Sequence, residues 1–153
     1  RPKDVIDTAT PSGTSAAAHV LLRIARYRGE DATEQVARDT LAPILASAAT
    51  HPAAFGHALC VADMLNSPPL EIAIIGDRTA AETHTLTDVI FADRYLPNAV
   101  VALRDPADEG SARVPLLNGR QTLAGAPTAY VCERFACQMP TSNPEVLVRQ
   151  LPS

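Results

Sequence analysis

Tryptophan is absent from this chain of 153 residues, aromatic residues make up only 4% of it, and just three cysteines and two methionines occur. A core without large rings has to be assembled from aliphatic side chains, and the 46% hydrophobic fraction supplies them mostly as Ala, Leu, Ile and Val. Three cysteines are too few for a disulfide-dense scaffold. A chain of this length buries roughly 68–70% of its unfolded surface and needs no staples to hold a core. No apolar run approaches the ~18–20 residues of a membrane helix, which excludes a membrane partner of that kind. Arg1-Pro2-Lys3-Asp4 lacks the apolar stretch of a signal peptide, so a cytoplasmic protein is expected. A formal charge of −4, with Arg interspersed among Asp and Glu, leaves no basic block for a phosphate backbone and excludes nucleic acid. The first residue is not Met, which predicts a processed product or a piece of something longer.

Proline is the residue the chain has in quantity, 13 in all, and its positions divide the sequence. Thr10-Pro11 signals a helix start, and Ala17, Val20, Leu21, Ile24 and Tyr27 follow at helical spacing, with Arg23, Arg26 and Arg28 near the end that favours positive charge. Gly29 is the expected stop. Asp31 with Glu34 reads as a capping-box variant opening a second helix with Val36, Leu41, Ile44, Leu45 and Ala48 as its stripe. Pro43 inside that stripe predicts a kink or a split. A third helix is expected from His51-Pro52 through Phe55, Leu59, Ala62 and Leu65, ending at Asn66-Ser67-Pro68-Pro69. These prolines mark the predicted boundary between a helical segment, 1–66, and a small α/β domain, 67–153.

Beyond the boundary the pattern changes. Leu70–Ile75 is nearly continuous aliphatic sequence, the mark of a strand covered on both faces, as in parallel sheets. Thr79 and Glu82 fit a capping box for a helix with Leu86, Val89, Ile90 and Tyr95 turned inward, and Ala99–Leu103 is a second strand. From Arg104 to Pro127 only Val114–Leu117 suggests a weak strand, and so long an excursion is expected to cover something or to serve a function. Thr128–Cys132 is a third strand, and Asn143-Pro144-Glu145 caps a final helix through Leu151. The fold expected is mixed α/β: a helical hairpin segment, then a small, three-stranded, mainly parallel sheet with flanking helices.

Four residues are candidates for chemistry. Cys132 and Cys137 lie just after a strand, where α/β proteins gather reactive groups. Their spacing suits neither a redox Cys-x-x-Cys nor a four-ligand zinc site, so no metal is expected. A disulfide closing the short loop is sterically open, and two free packing thiols are the favoured reading, as for Cys60. Asp77 and Thr79 follow the first strand, where a dinucleotide fold puts its glycine-rich turn. One glycine, Gly76, does not make that turn, so no cofactor is expected, although the helix start at Thr79 could receive an anion. His19, His51, His57 and His84 show no metal-ligand pairing, Asp7 and Asp63 read as solvated surface acids, and no Gly-x-Ser-x-Gly elbow occurs.

Three strings carry a resemblance: Asp7-Thr-Ala-Thr-Pro11-Ser12-Gly13-Thr14-Ser15, Pro97-Asn98-Ala-Val-Val-Ala102, and Pro127-Thr128-Ala-Tyr130-Val-Cys132-Glu-Arg-Phe135-Ala-Cys137-Gln-Met-Pro140. Together they resemble the C-terminal part of the thioredoxin-domain-containing proteins related to spermatogenesis-associated protein 20. The resemblance implies a parent with an N-terminal thioredoxin-like domain, a helical region similar to six-hairpin (α/α) glycosidase toroids, and a tail like this chain. Residues 1–66 would then close the toroid and 67–153 would form a cap. The thioredoxin-like cysteines of the family lie outside this segment, so no dithiol oxidoreductase activity is expected of it alone. The family carries Asn where Thr14 stands. The partners this implies are the N-terminal remainder of the parent chain, a carbohydrate-like small molecule, and a second copy through an exposed helical face. The competing functions are a sugar-processing hydrolase or epimerase using carboxylates from this segment, and a small-ligand or anion-binding module.

Overall fold

The computed structural model describes residues 5–92, 94–108 and 114–152. Arg1-Pro2-Lys3-Asp4 and residues 109–113 of the long excursion lie outside the described residues. The chain forms two compact units, one of residues 1–26 and 30–68, the other of residues 27–29 and 69–153.

The first unit is helical: α1 (Gly13–Arg28), α2 (Asp31–Thr50) and α3 (Gly56–Asn66), with a 3-10 turn at Pro52–Ala54. Its core joins Ala18, Leu22, Ala37, Leu41, Ile44, Ala48, Phe55, Ala58, Val61, Met64 and Leu65. The buried face of α1 differs from the predicted stripe. Ala18, Leu22 and Ala25 are buried, whereas Val20 and Ile24 are exposed. The N-cap also moves: the Ser12 hydroxyl, not Thr10, accepts from Ser15 N at 3.1 Å. Gly29 ends α1 as expected, at φ +67°, and Glu30 N donates to Ala25 O, which closes a Schellman motif. Arg26 is buried rather than solvated, and its Nη2 donates to Met64 O. Arg38 Nη2 donates to Leu65 O at 2.6 Å, so two arginines satisfy carbonyls that the last turn of α3 leaves without helical partners.

Two local expectations for α2 fail. No side chain caps its N-terminus: Glu30 stands at the N-cap, and its carboxylate instead accepts from the Thr33 hydroxyl. Pro43 does not split the helix, which runs unbroken over 20 residues. Pro43 lies on the exposed face, where the Asp39 carbonyl it deprives of a donor meets water, while Leu41, Ile44 and Ala48 anchor both sides of it in the core. Pro43→Ala restores the missing bond without touching the core. It is expected to raise stability by about 1–2 kcal/mol, a propensity gain reduced by the loss of proline's stiffening of the unfolded chain. Urea denaturation of both proteins checks the sign. In α3, Cys60 is exposed, not packed, because Ala58, Val61, Met64 and Leu65 define the buried face.

The second unit is a four-stranded sheet in the order β2-β1-β3-β4, formed by β1 (Leu70–Ile75), β2 (Ala99–Arg104), β3 (Thr128–Glu133) and β4 (Ala136–Cys137), with α4 (Ala81–Phe91) and α5 (Pro144–Gln150). The mixed α/β class is as the sequence predicts. The sheet has one strand more than expected, and only β1 and β2 pair in parallel; β3 runs antiparallel to both β1 and β4. Alternation along β1 explains its unbroken apolar run. Ile72 and Ile74 pack with Leu86, Ile90, Val131, Leu147 and Leu151 on the helix-covered face, and Ala73 and Ile75 pack with Val100, Leu116 and Leu117 on the other.

The loop after β2 thus covers a sheet face, as its length predicts. Val114–Leu117 is not a strand, however: Pro115 cannot donate to a ladder, and Leu117 N donates to Val114 O across a 3-10 turn at Pro115–Leu117. Tyr95 is 89% exposed, so the inward face of α4 stops at Ile90. Asn143 caps α5 as expected, accepting from Glu145 N and Val146 N. No helix of the described residues is long and apolar enough to cross a membrane.

Candidate functional site

Cys132 and Cys137 form a disulfide, which corrects the expectation of two free thiols. Sequence spacing suggests a loop cysteine at 137. The chain instead reverses in two residues and folds Ala136–Cys137 back as β4, opposite Glu133 and Cys132. Both turn residues have positive φ, Arg134 at 47° and Phe135 at 63°, as a type I′ hairpin turn requires. Neither is Gly or Asn, the residues that adopt that conformation at low cost. Two contacts offset the cost. The Phe135 N–H donates to Glu71 Oε2 at 2.7 Å, and the Phe135 ring packs against Gly29, where a Cβ would meet its Cε2 at 3.0 Å.

Glu71, Cys132 and Cys137 form one row across β1, β3 and β4. Glu71 is the polar interruption of an otherwise aliphatic strand, and it is 2% exposed. Above the row stands Arg120, delivered by the loop after β2 and itself buried. Its Nη2 lies 3.0 Å from Cys137 Sγ and 3.3 Å from Cys132 Sγ, its Nη1 donates to Leu116 O, and its guanidinium sits 5.6 Å from the centre of the Tyr130 ring. Burial pulls Arg120 below the ordinary arginine range, while Tyr130 and Glu71 oppose the shift. A guanidinium stays charged under these conditions. The loop is fastened at both ends of this contact: Arg104 Nη2 donates to Arg120 O, and the Tyr130 hydroxyl donates to Gln121 O at 2.7 Å.

Asp77 and Thr79 come together in a different way from the one expected. Thr79 N and Oγ1 both donate to Asp77 Oδ1 at 2.8 Å, and these bonds, against a small opposing effect of burial, lower the Asp77 carboxyl pKa. Helix α4 starts at Ala81 with Ala80 as N-cap, so Thr79 does not cap it. Its donors are already engaged by a carboxylate that would also repel an anion. A hollow beside α5 is lined by Leu123 and residues 140–145, but Asn143 there caps the helix and the Thr141 hydroxyl accepts from Asn143 N. Among the described residues no group of His, Cys, Asp and Glu could hold a metal ion.

The helical unit holds a buried polar chain that the sequence reading missed. Asp7, read as a solvated acid, is 9% exposed and accepts from Ser12 N at 2.8 Å, Ser15 Oγ at 2.7 Å and Ala58 N at 2.9 Å. Burial pushes its pKa up, but these bonds together outweigh burial and hold it at about 2. His57 Nδ1 lies 3.1 Å from Ser15 Oγ, and His57 Nε2 lies 3.2 Å from His19 Nδ1. Burial, then the charges of His57, Arg23 and Arg26, lower the His19 pKa. Ser15 is fully buried and stands between acid and histidine, whereas a nucleophile triad puts the histidine in the middle. The chain is therefore a structural brace joining the segment before α1 to the start of α3. The string Asp7 to Ser15 was its only sequence signal.

Over 146 residues, 94% of its length, the chain is 32% identical to spermatogenesis-associated protein 20 of Homo sapiens and 29% identical to that of Mus musculus. It spans only 18% of the length of these relatives. No protein-family model matches the chain, and no solved structure does.

Proposed function

Because the chain is a relative of spermatogenesis-associated protein 20, we propose that it is a non-catalytic, C-terminal segment of a longer protein of that family, one that completes a helical toroid and shapes a carbohydrate-like cleft. The observation that carries this reading is the set of aliphatic side chains left exposed outside the core of the helical unit. Val20 is 56% exposed, Val36 51% and Ile24 41%, while Asp7, Ser15 and Arg26 are buried. Val20 and Ile24 stand one turn apart on one side of α1, where a further helix would cover them. The partner is the remainder of the parent chain, preceded by its thioredoxin-like domain, in a cytoplasmic setting. Asp7 does not act as a general acid here: its oxygens accept three buried hydrogen bonds, and its low pKa bars it from donating a proton near neutrality.

Side-chain footprinting with hydroxyl radicals tests this directly. Labelling of Val20, Ile24 and Val36 is expected to fall severalfold when the chain is part of its full-length parent polypeptide. Equal labelling in the 153-residue chain and the full-length protein would refute the toroid-closing role.

A further inference from the structure

We propose that the Cys132–Cys137 bridge is a reversible thiol–disulfide exchange site, reduced by a dithiol donor, and not a permanent staple. The central observation is the Arg120 guanidinium, whose Nη2 points at both sulfurs, 3.0 Å from one and 3.3 Å from the other. A neutral disulfide sulfur is a weak acceptor, so this buried cation gains little from the oxidised pair. A thiolate in the same place would accept a charge-assisted hydrogen bond in a poorly solvated site. Arg120 therefore favours the reduced, ionised pair over the bridge.

Two further features agree. The hairpin is held without the bridge, by the Phe135 N–H on Glu71, by Gln138 N donating to Val131 O at 2.9 Å, and by the ring of Phe135 against Gly29. The bridge also closes a short loop between cysteines five positions apart, so it restricts the unfolded chain little. Access is one-sided: Cys137 is exposed and Cys132 is 2% exposed.

That asymmetry defines the order of events. A donor thiolate attacks Cys137 Sγ, forming an intermolecular disulfide and breaking the Cys132–Cys137 bond, and Cys132 leaves as a thiolate beside Arg120. The donor's second thiol, deprotonated, then attacks the donor sulfur of the mixed disulfide. Its attack forms the donor's own disulfide and releases Cys137 as a second thiolate. Two electrons reach the pair, the donor dithiol is oxidised to a disulfide, and its two protons pass to solvent or to the new thiolates. The charged and titratable groups around the sulfurs are Arg120 from the loop, Glu71 from β1, Tyr130 and Glu133 from β3, and Arg134 from the turn.

The test uses a Cys60→Ser background, so that only the pair reacts, equilibrated with reduced and oxidised dithiothreitol and trapped with iodoacetamide. Both thiols are expected to appear together and reversibly, with the circular dichroism of the folded protein unchanged. In the reduced protein the pH dependence of alkylation should inflect well below the ~8.5 of an ordinary cysteine. Arg120→Gln should slow alkylation at pH 7 severalfold, because the loss of thiolate that a pKa rise of about one unit brings is partly offset by the greater nucleophilicity of the more basic thiolate, and Arg120→Lys should restore most of the rate. A pair that is reduced only in denaturant, or whose reduction unfolds the protein, is a staple and overturns the proposal. So does an inflection near 8.5 in the protein with Arg120 intact, a readout that does not depend on any Arg120 variant folding.

Discussion

Asp7→Ala is expected to lower the stability of the helical unit by about 3 kcal/mol, because it leaves three buried donors, Ser12 N, Ser15 Oγ and Ala58 N, without an acceptor. These bonds join the segment before α1 to both α1 and α3, so the loss falls on the packing of the whole unit. The ionised form matters as much as the shape. The folded-state pKa of about 2 lies below the ordinary 3.8, so ionisation contributes stability that is fully present above pH 4 and is lost as pH falls through 2. The difference corresponds to about 2 kcal/mol. Asp7→Asn keeps the size of the side chain and removes this pH dependence. Urea denaturation between pH 2 and pH 7 measures both effects. An Asp7→Ala protein within about 0.5 kcal/mol of the parent at pH 7, the range of an ordinary surface substitution, would contradict the bracing role.

Gly76→Ala is the second large effect, expected at about 2–3 kcal/mol in the sheet unit. Gly76 does not need its conformational freedom here. It is needed for space: a Cβ would lie 2.5 Å from Thr83 Oγ1 and 2.9 Å from Pro127 Cβ. Thr83 is 1% exposed on α4, and Pro127 leads into β3, so neither neighbour can withdraw without moving an element packed on β1. Calorimetry of the variant should show a lowered transition temperature for the sheet unit. Gly76→Ala/Thr83→Ala should recover part of it by removing the closest clash. An unchanged transition in the single variant would mean that this approach is looser than the distances require. The glycine that sequence reading weighed as part of a phosphate turn is thus a packing residue.

Much of the architecture was legible because it rests on local patterns. The aliphatic runs at Leu70–Ile75 and Ala99–Leu103 predicted strands covered on both faces, Gly29 and Asn143 marked helix ends by their own backbone and hydrogen-bonding chemistry, and Asn66 closed α3 at its predicted place. Errors arose where a local rule met a competing contact. The Thr79 hydroxyl bonds to Asp77 in preference to the helix, the stripe on α1 rotates so that Ala18 and Leu22 meet α2 and α3, and Pro43 is carried through a helix whose flanks are anchored in the core. The family resemblance was legible too, from strings such as Asp7–Ser15 and Cys132–Cys137, and the relatives bear it out along nearly the whole chain.

The polar clusters were a different matter, since they join residues far apart along the chain. Arg120 comes from a loop with no periodicity and reaches the sulfurs of residues 12 and 17 positions further on. Glu71 accepts from Phe135 across 64 positions, and Asp7 accepts from Ala58 across 51. Spacing alone allowed Cys132 and Cys137 to be free or bridged. The β3–β4 pairing places them opposite each other, and that pairing depends on a left-handed turn at Arg134 and Phe135 whose residues carry no turn signal of their own. Composition and periodicity therefore determined the elements and their order in this aromatic-poor, proline-divided chain. Which charged group faces which sulfur, carboxylate or amide was decided in three dimensions, because burial makes each unpaired polar atom costly and only the folded chain brings its partner within reach.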